Sequence, residues 1–330
     1  MLVCHASPAY CHEVSKLKNG PKLLAAVTVC VATFTTMPSH ATTVWSYSYA
    51  ASGVSGSGYL ATSSTATPGE YAIQGVSGKI GTTPVESLLA AGTYLASGGG
   101  VLTSDNLLFA ASPSLGLGGF TVRAGPDLYN VYNAGGQYYQ LAGADCNGLT
   151  CGTAGHLGTS VSFSAMTVPS IDWNFAYSGV GISATGVLTT LATAVGGDYQ
   201  IVGLSGTRNG QAMNALFPAG TYLATGGGVL TSDNLLSATA PYLQTGGFTF
   251  HAGDDRYNVY DLNGRYYDLT GADCGASNCG QPGHLGTPIS FTVSTVPEPD
   301  SAVLLGLGLI GFGFARRWKK IVRSTTFLKR

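Results

Sequence analysis

The stretch "GTYLASGGGVLTSDNLL" (Gly92–Leu108) returns as "GTYLATGGGVLTSDNLL" (Gly220–Leu236), 128 residues later, with Ser97 replaced by Thr225 as the one change. The same offset aligns Trp45 with Trp173, Tyr129 with Tyr257, Cys146 with Cys274, Cys151 with Cys279, His156 with His284 and Pro169 with Pro297. No gap is needed from Trp45 to Pro169. A period this long is not that of a solenoid repeat. It is the length of a domain, so the body reads as one module written twice, over residues 42–169 and 170–295.

Within each copy, short runs rich in Tyr, Thr and Val alternate with turn residues, which favours half-buried strands. The clearest hairpin is "YNVYDLNGRYYDL" (Tyr257–Leu269), where Asn263-Gly264 supplies two residues that tolerate positive φ. Gly135-Gly136 stands at the matching place in the first copy. "GGFTV" and "GGFTF", from Gly118 and Gly246, read as another strand. "LGTSVSFSAM" and "LGTPISFTVS" read as the closing strand; Val161 and Phe163 alternate with serines, as on a sheet with one buried face. "PVESLLAA", from Pro84, reads as one or two helical turns. The expected fold class is all-β: two tandem antiparallel β-sandwich-like or distorted-barrel domains. An N-terminal signal helix and a single C-terminal transmembrane helix flank them.

Charge is segregated along the chain. Between Thr42 and Asp300 five cations (Lys79, Arg123, Arg208, Arg256 and Arg265) face fifteen acids, a net charge of −10. The other ten Lys and Arg lie at the two ends, three before Thr42 and seven after Asp300. An acidic body of this kind argues against nucleic acid and against an anionic lipid surface as its partner.

The ends read as addresses. Lys16, Lys18 and Lys22 precede the apolar run Leu23–Thr36, and Ser39 and Ala41 form a small-x-small cleavage site. This is the layout of a secretory signal peptide, residues 1–41, which implies passage through the Sec translocon. At the other end "SAVLLGLGLIGFGFA" (Ser301–Ala315) holds 15 residues. As a helix it spans roughly 22 Å, short of a ~30 Å hydrocarbon core, and crosses with local thinning. Arg316, Arg317, Lys319, Lys320 and Arg323 follow it and keep that end cytoplasmic.

Val296, Pro297, Glu298 and Pro299, then the Gly/Leu-rich run, then Arg316 and Arg317, resemble the PEP-CTERM sorting signal of exported bacterial proteins. The signal would cover residues 296–320, leaving 321–330 as a cytoplasmic tail that is longer than usual for the family. The resemblance implies an exosortase-type processing enzyme as partner. It also implies transit across the inner membrane of a Gram-negative cell with temporary anchoring there. The destination is the cell surface or the extracellular matrix, with exopolysaccharide as a further partner. The body is similar to the small β-rich ectodomain common in that family, on Ser104–Leu108 with Tyr129–Tyr132 and Ser232–Leu236 with Tyr257–Tyr260. That ectodomain class implies no activity.

Export permits disulfides. Cys4, Cys11 and Cys30 lie in the segment expected to be removed, which leaves Cys146, Cys151, Cys274 and Cys279. The pairings are Cys146–Cys151 and Cys274–Cys279, each within a Cys-x4-Cys loop. The rival is metal: "DCNGLTCGTAGH" and "DCGASNCGQPGH" both spell Cys-x4-Cys-x4-His, with His156 and His284 as third ligands. Asp105 and Asp233, in "TSDNLL", are candidate calcium ligands, although Asp and Asn are also ordinary turn residues. Nothing singles out a carboxylate pair of the glycosidase kind, and no Gly-x-Ser-x-Gly elbow accompanies the histidines. Tyr132 and Tyr260 are candidate aromatic faces for carbohydrate, the alternative being cross-strand packing. No cofactor is expected. The reading is a surface or matrix-associated structural or adhesive protein, not an enzyme; the alternative is a polysaccharide- or calcium-binding module.

Overall fold

In the computed structural model, residues 42–296 are described, apart from 97–98, 147–149, 214, 225–226 and 275–277; for 227–229 only the backbone is. The expected signal peptide (1–41), Pro297, Glu298, Pro299, the apolar run 301–315, Arg316, Arg317 and the tail 321–330 lie outside the described residues. Among the described residues no helix is long and apolar enough to cross a membrane.

The first copy comprises β1 (Thr43–Ala51), β2 (Val54–Ser64), β3 (Glu70–Ile80), β4 (Thr83–Leu88), β5 (Leu107–Phe109), β6 (Phe120–Ala124), β7 (Asp127–Ala134), β8 (Gln137–Ala142) and β9 (Thr159–Val168). Antiparallel pairing runs β1–β2–β3–β4–β6–β7–β8–β9 and returns from β9 to β1, while β5 pairs with the start of β3. Of the two expected architectures, sandwich or distorted barrel, this ring is the barrel. It leaves β1 and β9 without a free edge, which removes a site of unwanted strand addition.

The second copy comprises β10 (Ser170–Gly179), β11 (Ile182–Val195), β12 (Asp198–Arg208), β13 (Gln211–Met213), β14 (Ala215–Leu216), β15 (Tyr222–Ala224), β16 (Gly227–Thr231), β17 (Leu235–Ser237), β18 (Phe248–Ala252), β19 (Asp255–Leu262), β20 (Arg265–Thr270) and β21 (Thr287–Thr295). Its ring closes in the same way, from β21 back to β10. The β15–β16 pair is the counterpart of a single bridge, Tyr94↔Thr103, in the first copy.

Local chemistry explains the turns. Asn263 and Gly264 take φ of 56° and 80°, and Leu262 pairs with Arg265 across them. Gly119 and Gly247 also sit at positive φ, where a Cβ would strike the carbonyls of Val131 and Val259, so the strand β6 or β18 cannot start with another residue there. "PVESL" is a strand, not the expected helical turn: β4 pairs with β6, with a bulge between Val85 and Ser87. The bulge places Val85 and Leu88, three residues apart, on the buried face, and that spacing imitates a helix in sequence.

Each barrel holds an aromatic and aliphatic core. In the first it includes Trp45, Tyr47, Leu60, Val76, Phe120 and Val131; in the second, Trp173, Phe175, Leu188, Leu204, Phe248 and Val259. Several buried side-chain N–H donors are satisfied in matching pairs. Trp45 Nε1 donates to Thr62 Oγ1 at 3.1 Å, and Trp173 Nε1 to Thr190 Oγ1 at 3.0 Å. Asn106 Nδ2 donates to the Leu89 carbonyl, and Asn234 Nδ2 to that of Phe217, each at 2.7 Å. A smaller cluster lies under each cysteine loop.

The copies meet along β3 and β4 of the first and β12 and β14 of the second. Ala215 and Leu216 pair in parallel with Val76 and Ser77, and Ser77 Oγ donates to the Val202 carbonyl at 2.7 Å. Ala215 packs into the first copy's core.

Candidate functional site

The cysteine loops follow a short 3-10 turn at Gly143–Asp145 and Gly271–Asp273. Cys146 is bonded to Cys151 and Cys274 to Cys279, each pair with Cα atoms 5.1 Å apart. The disulfide pairing is therefore the one expected. It uses the sulfurs that the rival metal reading needs, and among the described residues no three or more His, Cys, Asp or Glu side chains come together. His156 and His284 are half-buried; His284 Nδ1 lies 3.2 Å from the Asp273 carbonyl. The backbone of each histidine closes its loop, through Gly152 N–H to the His156 carbonyl and Gly280 N–H to that of His284, both 3.0 Å.

Tyr132 and Tyr260 lie beneath these loops with 0% and 1% exposure, so neither presents a face to carbohydrate. Their hydroxyls donate to the Leu157 and Leu285 carbonyls at 2.8 Å, and their rings pack on Tyr139 and Tyr267. The aromatic signal of the hairpin is cross-strand packing, and its expected role as a ligand platform is corrected here.

Asp105 and Asp233 each begin a turn. Their Oδ1 atoms accept from Leu107 N–H and Leu235 N–H at 3.1 Å, while Asn106 and Asn234 take φ of 54°. Burial pushes both carboxyls up; backbone N–H groups, including those of Gly118 and Gly246, pull the other way. Their lone pairs serve the turn, and the two aspartates lie in separate copies.

A different place gathers chemistry from both copies. A cleft of about 580 Å³ is bounded by Lys79 and Pro84 from the first and by Pro218, Tyr222 and Arg256 from the second. Arg256 Nη2 contacts Glu86 Oε1 at 3.2 Å, its Nη1 reaches the Tyr222 carbonyl at 3.4 Å, and its guanidinium lies 4.5 Å from the centre of the Phe217 ring. Burial lowers the Arg256 pKa, with Glu86 opposing that shift. Lys79 is exposed and has no ion-pair partner among the described residues. Sequence reading missed this cleft, because Glu86 and Arg256 are 170 residues apart.

The last described strand, β21, ends at Thr295, and Val296 N–H donates to the Asp172 carbonyl at 2.8 Å. Residues 295–317 match the PEP-CTERM protein-sorting motif. The motif thus starts where the second barrel ends. No curated protein and no solved structure matches the chain. The motif implies an exported, surface-targeted protein processed by an exosortase-type enzyme.

Proposed function

We propose that the chain is a structural or adhesive component of the cell surface or extracellular matrix, not an enzyme, delivered by a signal peptide and released or transferred through its C-terminal tail. The observation that carries this reading is the sorting motif at residues 295–317, joined directly to the end of β21. The compact barrels and buried aromatic hairpins support it, since their side chains are spent on packing. The three-part tail implies anchoring in the inner membrane before processing, with the short apolar run serving as a substrate more than as a durable anchor.

The test is the intact mass of the protein recovered from the cell surface, set against an Arg316→Ala, Arg317→Ala variant. The expected mature mass lacks residues 1–41 and the segment from Ser301 onward, and the variant stays in the membrane fraction. A surface protein that retains residues 301–330 would refute processing at the tail. Polysaccharide or calcium binding is the second reading. For calcium its candidates, Asp105 and Asp233, accept hydrogen bonds within their own turns; for polysaccharide its candidate tyrosines are buried, and the inter-copy cleft is the place that is left.

A further inference from the structure

The residue that leads into β1 reaches across to the second copy. Thr42 N–H donates to Asp172 Oδ2 at 3.0 Å, and the two residues are 130 apart in the chain. Thr42 is also the first residue after the cleavage site expected at Ser39-x-Ala41. Two unrelated observations, a small-x-small signal in the sequence and a carboxylate in the fold, fall on the same nitrogen.

The duplication shows what differs where that carboxylate stands. Asp172 corresponds to Val44, and Thr189 to Ala61. The first copy pairs Val44 with Ala61 across β1–β2, both buried. The second pairs Asp172 with Thr189 across β10–β11. Thr189, 2% exposed, donates from Oγ1 to Asp172 Oδ1 at 2.7 Å. One carboxylate oxygen is thereby fixed and the other is aimed at Thr42. Ala61 and Thr189 both border Gly203, so the site lies where the copies meet. Asp172 is half-buried, and among the described residues no cationic side chain pairs with it. A carboxylate held in this way gains most from a positive charge on the N–H that it already accepts.

We propose that Asp172 is the receptor for the mature N-terminus of this chain. Hydrolysis of the Ala41–Thr42 peptide bond by a signal peptidase consumes one water. It leaves a carboxylate on Ala41 and an α-ammonium on Thr42. The amide donor of the precursor becomes a cation in the same place, and its hydrogen bond to Asp172 becomes a charge-assisted ion pair. The Asp172 carbonyl meanwhile accepts from Val296 N–H at 2.8 Å, near the start of the sorting motif. One residue thus holds the end made by the first cleavage and the strand end that precedes the second. The mature chain is therefore held at this junction more firmly than its precursor. The inference rests on the signal-peptide part of the delivery reading for the cleavage itself.

The experiment compares two exported proteins, each with and without Asp172→Asn. One is the natural chain; the other carries Gly-Ser inserted between Ala41 and Thr42. The insertion keeps Thr42 N–H as an amide and moves the α-ammonium two residues away. Intact mass reads the N-terminus and thermal melting reads the contact. The natural protein is expected to begin at Thr42. In it Asp172→Asn should lower the melting temperature by roughly 2–4 °C at low salt. In the inserted protein the loss should be less than half as large, and the difference should shrink as salt rises. Equal losses in both proteins, or none in the natural one, would overturn the receptor and leave delivery standing. So would a surface protein that begins at another residue after the leader. A surface protein that retains residues 1–41 would instead sink the signal-peptide reading, and the receptor with it.

Discussion

The two barrels share a fold, and the sharpest of their buried differences is one pair of side chains. In the second copy Arg208 forms a two-pronged ion pair with Asp268, Nε to Oδ2 at 2.9 Å and Nη2 to Oδ1 at 3.0 Å, with side-chain exposures of 9% and 0%. The guanidinium carbon sits 3.7 Å from the centre of the Tyr257 ring. In the first copy the repeat positions are Ile80 and Gln140, an apolar and a neutral polar side chain. Gln140 Oε1 is buried without a hydrogen-bond partner there, and the Tyr49 and Tyr177 hydroxyls, at matching positions, both lack one. In the second copy the matching Tyr177 hydroxyl lies beside the ion pair, where burial first, and the Asp268 charge second, push its pKa far up. The barrel does not require either solution. A closed ring with an aromatic core tolerates a charged pair or a neutral one, provided both partners change together.

That comparison can be broken by changing one partner alone. Arg208→Ala leaves the Asp268 carboxylate buried without its cation, and the expected cost is about 3–5 kcal/mol, confined to the second copy. Arg208→Ile with Asp268→Gln installs the first copy's residues and should cost far less. Urea unfolding of the single and double variants measures the difference; similar losses in both would show that the pair acts through packing alone.

The disulfides sharpen the same comparison, because here the copies agree. Cys151→Ser and Cys279→Ser should each destabilise by less than the ~3 kcal/mol of a 15-residue loop, and by similar amounts. Both removed sulfurs belong to fully buried cysteines over matching tyrosines. Thermal melts with and without reductant check this. A loss confined to one copy would mean that only one loop supports its barrel.

The smallest effect is on pH. The Asp105 and Asp233 carboxyls are raised by burial, so the folded chain holds their protons more tightly than the unfolded chain does. Their contribution is most favourable below the unfolded carboxylate value, about 4, and is lost as pH rises through the folded value. Asp105→Asn and Asp233→Asn should each flatten the fall in unfolding free energy with rising pH just above that range. An unchanged slope would place the two carboxylates in water.

Several features were legible because their causes are local. Asn263-Gly264 and Gly135-Gly136 need positive φ, and nothing distant changes that. Cys-x4-Cys spacing brings two sulfurs within reach whatever surrounds them. Others were misread because a local pattern had a tertiary cause. The bulge in β4 gave Val85 and Leu88 a helical spacing, and the tyrosines that looked available in "YNVY" are covered by the cysteine loops that follow them in the chain. The cleft had no local signature at all: Lys79, Tyr222 and Arg256 are unremarkable residues until two barrels bring them together.

What the sequence determined by itself is the duplication, the strand-rich chemistry of each copy, the closely spaced cysteine pairs and the sorting motif. These depend on residue types at fixed spacings along the chain. Tertiary structure decided that the strands close into barrels, that Arg208 is buried against Asp268, and that Lys79 and Arg256, from different copies, border the same cleft. Each of those depends on contacts between residues far apart in sequence: β1 with β9, β12 with β20, the first copy with the second. Their free energy belongs to the closed and packed arrangement, and no short stretch of residues encodes it.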